Sequence, residues 1–201
     1  MSAFLLNHKK LLIASHNHGK VHEFNQLFLG LDIELFSADD FNLIEPEETG
    51  QSFAENALLK AKIAAQATGL PAIGDDSGLS VEALGGEPGI YSARWAITKG
   101  KRDFRYGMDK IWKKIAFQPN RRAFFMCVLC LYLPNDSTFI FEGRIDGHIT
   151  WPARGTNGFG YDPIFVPDGY HQTFGEIGHA LKDKIGHRAL AVKKLKQDLL
   201  K

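Results

Sequence analysis

The stretch LLIASHNHGKVHEFNQLF, residues 11–28, decides the fold class, because its hydrophobic period changes in the middle. It opens with a continuous apolar run over residues 11–14, which is typical of a buried strand. After a small, polar and basic loop, apolar side chains return at helical spacing: Val21, Phe24, Leu27 and Phe28. A strand that passes through a polar loop into a helix indicates an α/β chain.

The rest of the chain continues this alternation and then changes to a hairpin. We predict a strand at 32–38, an acidic loop at 41–50, a helix at 52–69, a strand at 71–84 that is interrupted at Asp75–Asp76, a glycine-rich loop at 85–95, a helix at 103–117, a hairpin over 122–145, two strands around a glycine-rich loop at 147–167, and a helix from about 187. Ser52 and Glu55 form a capping box for the second helix, and Gly69 ends it. Early alternation followed by a long hairpin predicts an α/β fold with a mixed sheet.

Length and composition bound the class of protein. We interpret residues 1–201 as one domain with two lobes, and the 44% of hydrophobic residues is enough for a sizeable core. A net charge of +1 gives no general attraction to a nucleic acid polymer or an anionic membrane. The sequence shows no signal pattern and no apolar run of the ~18 residues that span a membrane, so we predict a cytoplasmic protein.

Two cysteines lie in the apolar run 122–133. The C-x-x-C spacing of Cys127 and Cys130 could indicate a redox pair or half of a zinc site. Residues three apart on a strand point to opposite faces, so we interpret both thiols as small buried side chains. The sequence offers no disulfide framework, which fits a reducing compartment.

The loop after the first strand has the side chains of an anion site. A helix N-terminus presents unpaired N–H groups and a partial positive charge, and both suit phosphate. Gly19 lets the backbone approach closely, Lys20 adds a full charge, and Ser15 and Asn17 add hydrogen bonds. The spacing is not that of a Walker loop, and a solvated turn is the alternative interpretation of this stretch alone.

Two pairs of adjacent acids are the second candidate. Glu47–Glu48 lies in the acidic loop, and Asp75–Asp76 lies where we expect a strand to end. Adjacent carboxylates become favourable near a core when a hard cation neutralises them, and Mg²⁺ prefers carboxylates together with substrate phosphate oxygens. Capping and turn chemistry is the alternative for Asp75–Asp76.

Two further clusters complete the candidate site. In GTNGFGYDPIF, residues 155–165, glycines stand beside aromatic residues, so a base could stack on Phe159; the alternative is a hairpin loop whose aromatic residues fill the core. In LKDKIGHRA, residues 181–189, the basic side chains form either a solvated face or a set of donors for a phosphate or a base edge. The four signals together are the parts of a magnesium–nucleotide site.

These blocks resemble the inosine triphosphate pyrophosphatases, a family that hydrolyses deaminated purine nucleotides such as ITP, dITP and XTP. ASHNHGK resembles the family's T/S-x-N-x-x-K loop, and further blocks match in the same order: EETGQSFAENALLKA, PAIGDDSGLSVEALGGEPGIYSARW, GTNGFGYDPIF and GHRA. The resemblance covers residues 11–195. One departure is Gly186, because the family usually has serine before its His-Arg pair.

The resemblance implies an elongated mixed β-sheet flanked by helices, in two lobes with a central active-site cleft, and a homodimer. It implies Mg²⁺-dependent hydrolysis between the α- and β-phosphates, which yields a monophosphate and pyrophosphate. By motif, Glu47 and Asp76 would bind the metal, and Asp76 would also be the general base. The other matched residues would bind the substrate: Ser15, Asn17 and Lys20 at the triphosphate, and Ser77, Phe159, Gly160, Tyr161, Asp162, Lys182, His187 and Arg188 around the nucleoside.

Selectivity for hypoxanthine over adenine requires a donor aimed at the 6-oxo group, which we expect from Arg188 or a backbone N–H. Two other functions compete with this hypothesis. A zinc hydrolase would use His16, His18 and His22, but such barrels are usually longer than this chain. A non-enzymatic nucleotide-binding or RNA-binding module is disfavoured by the near-neutral charge and by acids that would repel a nucleotide without a metal.

Overall fold

The computed structural model describes residues 9–199 and confirms the predicted α/β class. The strands are β1 (Lys10–Ala14), β2 (Glu34–Ser37), β3 (Ala72–Val81), β4 (Ile97–Thr98), β5 (Lys101–Arg102), β6 (Arg122–Tyr132), β7 (Thr138–Ile149) and β8 (Phe165–Pro167). The helices are α1 (His18–Leu27), α2 (Phe53–Thr68), α3 (Ser92–Trp95), α4 (Phe104–Ile115), α5 (His179–Ile185) and α6 (His187–Leu199). The described strands form a six-stranded sheet in the order β2-β1-β3-β6-β7-β8 and a two-stranded sheet of β4 and β5.

The chain divides into two compact units. Of the described residues, the first unit contains 9–76, 127–143 and 188–199, and the second contains 77–126 and 144–187. Strands β3, β6 and β7 each contain a point at which the chain passes from one unit to the other. Each unit has a hydrophobic core of its own.

The core of the first unit follows from the pattern of residues 11–28. Parallel pairing of β1 with β2 and β3 places Leu11 beside Leu35 and Ile13 beside Ile73. The apolar face of α1 packs against this part of the sheet. The buried members include Leu11, Ile13, Phe24, Phe28, Ile73, Leu129, Leu131, Val192 and Leu195.

Helix α2 begins and ends where its sequence predicts. Ser52 Oγ accepts the N–H of Glu55 at 3.2 Å, and the Glu55 carboxylate accepts the N–H of Gln51 at 2.6 Å. Gly69 ends the helix with a φ of 71°, a left-handed conformation that glycine adopts without strain. The predicted cap is therefore present, with one difference. The Glu55 carboxylate accepts the N–H of Gln51, the residue before Ser52, instead of the N–H of Ser52 itself.

The core of the second unit is rich in aromatic rings. Helix α4 begins at the cap residue Asp103, whose carboxylate accepts the N–H groups of Arg105 and Tyr106 at 2.9 and 3.3 Å. Its buried face joins the inner faces of β7 and β8, which pair in antiparallel orientation. The buried members include Leu79, Ile111, Ile115, Phe125, Ile164, Phe165 and Phe174.

Three local predictions were wrong. Asp75 and Asp76 do not interrupt a strand, because β3 runs without a break from Ala72 to Val81 and both acids are buried inside it. The segment 85–95 is not only a loop, since it contains a 3-10 turn and the helix α3. The chain before residue 187 forms the additional helix α5.

The described helices do not include one with both the length and the apolar character that crossing a membrane requires.

Candidate active site

The two acids of β3 lie on opposite faces of the strand, because successive side chains of a strand alternate. Asp75 is 1% exposed and Asp76 is 4% exposed. Asp76 shares its face with Gly74, whereas Asp75 faces the other way. Two neighbouring carboxylates therefore meet different surroundings.

Gly74 allows α2 to pack directly on β3. A Cβ atom at this position would lie 2.0 Å from the carbonyl oxygen of Ala57 and 2.8 Å from the nitrogen of Ala61, so a larger residue has no room. The same buried face of α2 contains Asn56 and Lys60, which are four residues apart. The contact at Gly74 therefore brings Asn56 and Lys60 close to Asp76.

Asp76 is held by an amide and lies near an ammonium group. Its Oδ2 accepts a hydrogen bond from Asn56 Nδ2 at 3.0 Å, and its Oδ1 lies 3.6 Å from Lys60 Nζ. Burial raises the pKa of the Asp76 carboxyl above its ordinary value, and the charges of Lys60 and Lys20 offset this only in part. A buried carboxylate with a raised pKa has the property that a general base requires.

The acidic loop contributes Glu48 to this cluster. Glu48 Oε1 accepts a hydrogen bond from Lys60 Nζ at 2.7 Å, so Lys60 lies between two carboxylates. Burial alone would lower the pKa of Lys60, but Asp76 and Glu48 outweigh it and raise that pKa. Glu47, which the resemblance implies as a metal ligand, is exposed. Its role stays a prediction, and Glu48 is a second candidate from the same loop.

Asp75 is the centre of a buried ion network. Its Oδ2 accepts a hydrogen bond from Arg188 Nε at 2.7 Å, and its Oδ1 accepts one from Lys20 Nζ. Arg188 Nη1 donates in turn to Glu23, and Cys127 Sγ lies 3.5 Å from Asp75 Oδ2. Burial alone would raise the pKa of Asp75, but Arg188 and Lys20 hold it well below its ordinary value. Asp75 is therefore a fixed anion.

Arg188, which we expected at the 6-oxo group of a base, contacts two carboxylates in this structure, and its role at a base stays a prediction. The residue is 2% exposed, and its donors meet the carboxylates of Asp75 and Glu23. A buried guanidinium needs such partners, because an unpaired charge is costly away from water. Arg188 belongs to the first unit, whereas Lys182 and His187 belong to the second.

The predicted phosphate loop forms the start of α1. Asn17 Oδ1 accepts the N–H groups of Gly19 and Lys20 at 3.0 and 3.2 Å, and Ser15 Oγ accepts the N–H of Asn17 at 3.1 Å. Asn17 is thus the helix cap, and Ser15 orders the backbone before it. Lys20 Nζ also approaches the carbonyl oxygen of Asp75 at 3.3 Å, which places an ammonium group at this turn.

The second unit holds the aromatic part of the candidate site. Asp162 Oδ2 accepts the N–H of Phe159 at 2.8 Å and a hydrogen bond from Lys182 Nζ at 2.6 Å. Lys182 Nζ lies 4.7 Å from the centroid of the half-buried Phe159 ring. Gly158, with a φ of 70°, permits this turn, because a Cβ there would lie 2.0 Å from Asp162 Oδ2. The loop therefore fixes an ammonium group over one aromatic face.

Tyr161 supports this loop from the core instead of facing outward. The residue is 2% exposed, and its hydroxyl donates to the carbonyl oxygen of Ser92 at 2.8 Å. Its ring packs edge to face on Phe104, with the ring centroids 5.4 Å apart. The neighbouring Gly160 is half-buried. Phe159 is therefore less buried than Tyr161, and the predicted stacking of a base on the Phe159 ring stays a prediction.

His187 and Gly186 lie at the junction of α5 and α6. The buried His187 ring stacks on Phe125, with the ring centroids 4.8 Å apart. The N–H of Gly186 donates to the carbonyl oxygen of Lys182 at 2.8 Å, and a Cβ there would lie 2.7 Å from that oxygen. Serine would therefore require α5 to shift, so glycine fits the packing in this chain. Ser77, the first residue of the second unit, is half-buried.

The donor set of the acidic cluster fits magnesium better than zinc. Mg²⁺ is commonly held by one or two protein carboxylates together with phosphate oxygens and water, and Asp76 and Glu48 offer such oxygens. A zinc site needs three or four protein ligands, and residues 9–199 contain no group of three His, Cys, Asp or Glu placed to hold a metal. His16 Nε2 lies instead 2.7 Å from the carbonyl oxygen of Leu43.

Sequence reasoning missed the roles of Asn56, Lys60 and Glu23. Each is a buried polar side chain on a helix. Asn56 and Lys60 are four residues apart on a face that otherwise carries alanine, and Glu23 follows Lys20 by three residues on α1. Polar residues at such spacing on an apolar face are the signal that could have identified them.

Comparisons with known proteins show the family to which the chain is similar. Residues 11–198 match the model of the Ham1 family. A dITP/XTP pyrophosphatase of Caulobacter vibrioides is 50% identical and covers 94% of this chain and 97% of its own, and one of Rhizobium meliloti is 47% identical with 92% and 93% covered. A HAM1 protein structure from Coxiella burnetii superposes with a TM-score of 0.86 at 37% identity and covers 94% of this chain and 98% of that one.

Proposed function

Because the chain belongs to the Ham1 family, we propose that it hydrolyses nonstandard purine nucleoside triphosphates, namely ITP, dITP and XTP, to the monophosphate and pyrophosphate. The observation that carries the proposal is the environment of Asp76. A buried carboxylate with a raised pKa lies beside Lys60 and the acidic loop, while its neighbour Asp75 is locked in an ion network. Two adjacent acids with opposite environments can take different parts in one reaction.

Asp76 would act as the general base. It takes the proton of a water molecule as the water oxygen attacks phosphorus, and the bond between the α- and β-phosphates breaks. The leaving group is pyrophosphate, which carries away the electron pair of that bond. Lys60, near the same carboxylate, would contact the substrate phosphates as negative charge shifts toward them.

Lys20 would bind the triphosphate at the start of α1. The N-terminal turn of the helix adds its partial positive charge. Lys20 can exchange Asp75 for a phosphate without leaving a buried anion alone, because Arg188 continues to neutralise Asp75. Ser15 and Asn17 would keep this turn in the required shape.

Phe159 and Lys182 would receive the nucleoside. The half-buried ring offers a surface on which a purine can stack, and Lys182 adds a donor beside it. Gly160, Tyr161 and Asp162 would hold this loop, and Asp162 does so through two hydrogen bonds.

Magnesium is part of the proposal, with Asp76 and either Glu47 or Glu48 as its protein ligands. When bound with the triphosphate, it would supply positive charge to the phosphate oxygens and to the attacking water. The central cleft, the homodimer and the cytoplasmic location that the sequence analysis predicts stay predictions. Cys127 and Cys130 are both buried and are not joined in a disulfide, which is consistent with a reducing compartment.

The proposal is tested with a substrate panel. Pyrophosphate release is measured for ITP, dITP, XTP, ATP and GTP, with and without Mg²⁺. We expect the 6-oxo substrates ITP, dITP and XTP to be hydrolysed far faster than ATP, and only when Mg²⁺ is present. Binding of ITP without release of pyrophosphate would instead support the non-enzymatic alternative.

A further inference from the structure

Asn56 forms a bridge that neither the motifs nor the reaction explain. Its side chain is fully buried on α2, and it contacts Asp76 at one end and the acidic loop at the other. At the loop, Asn56 Oδ1 accepts the N–H of Gly50 at 2.9 Å. A Cβ at Gly50 would lie 2.7 Å from the same oxygen, so glycine is required for this approach.

The bridge fixes the orientation of the Asn56 amide. The N–H of Gly50 can only donate, so the group that faces it must be the carbonyl oxygen. The NH₂ group must then face Asp76, and it donates to Oδ2 at 3.0 Å. A hydrogen on Oδ2 would collide with that donor, so Oδ2 has to present a lone pair.

We propose that Asn56 is a positioning residue that directs Oδ1 of Asp76 to the reacting water, and that couples this carboxylate to the acidic loop. This inference rests on the proposed function. During the reaction, Asn56 keeps Oδ2 as an acceptor, and Oδ1 receives the proton from water. Because the loop with Glu47 and Glu48 ends at Gly50, one amide sets the distance between the loop acids and Asp76.

The first test is Asn56→Asp. This variant has the same shape and keeps the acceptor for Gly50, but it replaces the donor to Asp76 with an oxygen. We expect kcat for ITP to fall by about 10²-fold, as for other misplaced catalytic groups. We expect KM to change by less than about threefold, because the residues proposed to bind substrate are unaltered.

The chain offers a matched control at Asn120. Asn120 Oδ1 also accepts a backbone N–H, that of Arg122 at 2.8 Å, and its Nδ2 also donates to a carboxylate, that of Glu82 at 3.1 Å. Asn120→Asp makes the same chemical change on the surface of the second unit. We expect it to leave kcat and KM for ITP unchanged.

The second test does not depend on turnover. Mn²⁺ binding is measured by electron paramagnetic resonance in the presence of a non-hydrolysable ITP analogue. We expect Asn56→Ala to weaken Mn²⁺ binding by about tenfold, since it removes both ends of the bridge. If wild-type protein releases no pyrophosphate from ITP, the proposed function fails, and this measurement still tests the coupling of Asp76 to the acidic loop. Unchanged Mn²⁺ affinity in folded Asn56→Ala would contradict that coupling.

The proposal is overturned if folded Asn56→Asp has the kcat of wild type, or if it loses thermal stability while its kcat is preserved. Circular dichroism and the melting temperature show which variants fold. If Asn56→Ala does not fold, the kcat and KM of the isosteric Asn56→Asp decide the matter.

Discussion

At the scale of single residues, the main result is that neighbouring acids have opposite electrostatic surroundings. Asp75 is neutralised by Arg188 and Lys20, whereas Lys60 and Lys20 offset the burial of Asp76 only in part, so the pKa of Asp76 is raised. The alternation of a strand separates the two side chains, so α1 and α6 serve one acid and α2 serves the other. The structure thus assigns a fixed anion and a titratable base to consecutive positions.

Lys20→Met tests the triphosphate site. The variant removes the ammonium group at the start of α1, so we expect KM for ITP to rise several-fold and kcat to fall by about 10²-fold. Steady-state kinetics measure both constants. Lys9→Met is the control, because Lys9 pairs with Asp32 on the surface. Kinetics of Lys20→Met equal to wild type would remove Lys20 from the site.

Arg188→Met tests the ion network. We expect a loss of about 3–5 kcal/mol in the free energy of unfolding at pH 7, because Asp75 and Glu23 lose their shared cation. Arg122→Met is the control, since the Arg122–Asp168 pair is exposed and contributes about 1 kcal/mol or less.

The loss of stability in Arg188→Met should become smaller as the pH falls. In wild type, the lowered pKa of Asp75 contributes stability that is fully present above the unfolded pKa of about 3.9 and is lost as pH falls through the folded pKa. In the variant, protonation of Asp75 relieves a buried anion. The difference in melting temperature between the two proteins should therefore shrink from pH 7 to pH 4. A constant difference would contradict this account.

At the scale of elements, the contact of α2 with β3 brings together the buried polar side chains around Asp76. Gly74 lets the helix backbone approach, and Asn56 and Lys60 then reach Asp76. The helix itself is held by the Ser52 cap and ends at Gly69. The position of Asp76, the proposed general base, therefore depends on the missing side chain of Gly74.

Gly74→Ala tests this dependence. The added Cβ would meet backbone atoms of α2, so we expect a loss of about 1–3 kcal/mol in stability together with a lower kcat. Gly178→Ala is the control, because Gly178 has a φ of −67° and no heavy atom within 4 Å of an added Cβ. Thermal melts and steady-state kinetics on both variants measure these effects. A wild-type kcat in Gly74→Ala would show that α2 does not position Asp76.

Elements with local signals could be predicted from sequence, and long-range ones could not. Ser52 and Gly69 specify the ends of α2 within a few residues of themselves. The ion pair of Asp75 with Arg188 could not be predicted, because the two residues lie 113 positions apart in the sequence. The substrate role that the motif implies for Arg188 stays a prediction.

The acidic loop shows a second limit of the sequence argument. Its composition predicted metal-binding carboxylates, but it did not separate Glu47 from Glu48. That choice depends on how the loop meets α2, through the Gly50–Asn56 contact and the Glu48–Lys60 pair. The motif therefore predicts the type of residue that binds the metal, whereas the tertiary contacts of the loop determine which of the two glutamates lies near Asp76.

At the scale of the whole molecule, each unit contributes a different kind of chemistry. The first unit holds charged groups: Lys20, Lys60, Asp75, Asp76 and Arg188. The second unit holds an aromatic ring and the Asp162–Lys182 pair.

The homodimer is tested at this scale. The chain has a mass of 22.4 kDa, and light scattering coupled to size-exclusion chromatography should give twice that value. A mass of 22.4 kDa across the micromolar range would show that the protein is a monomer.

The central claim is that Asp76 is the general base in the cleavage between the α- and β-phosphates. Phosphorus NMR of ITP with Mg²⁺ tests it most directly, on wild type and on Asp76→Asn. We predict that wild type yields only the monophosphate and pyrophosphate. The folded variant should be slower by about 10²-fold or more. Release of orthophosphate as the first product, or equal rates in the two proteins, would contradict the claim.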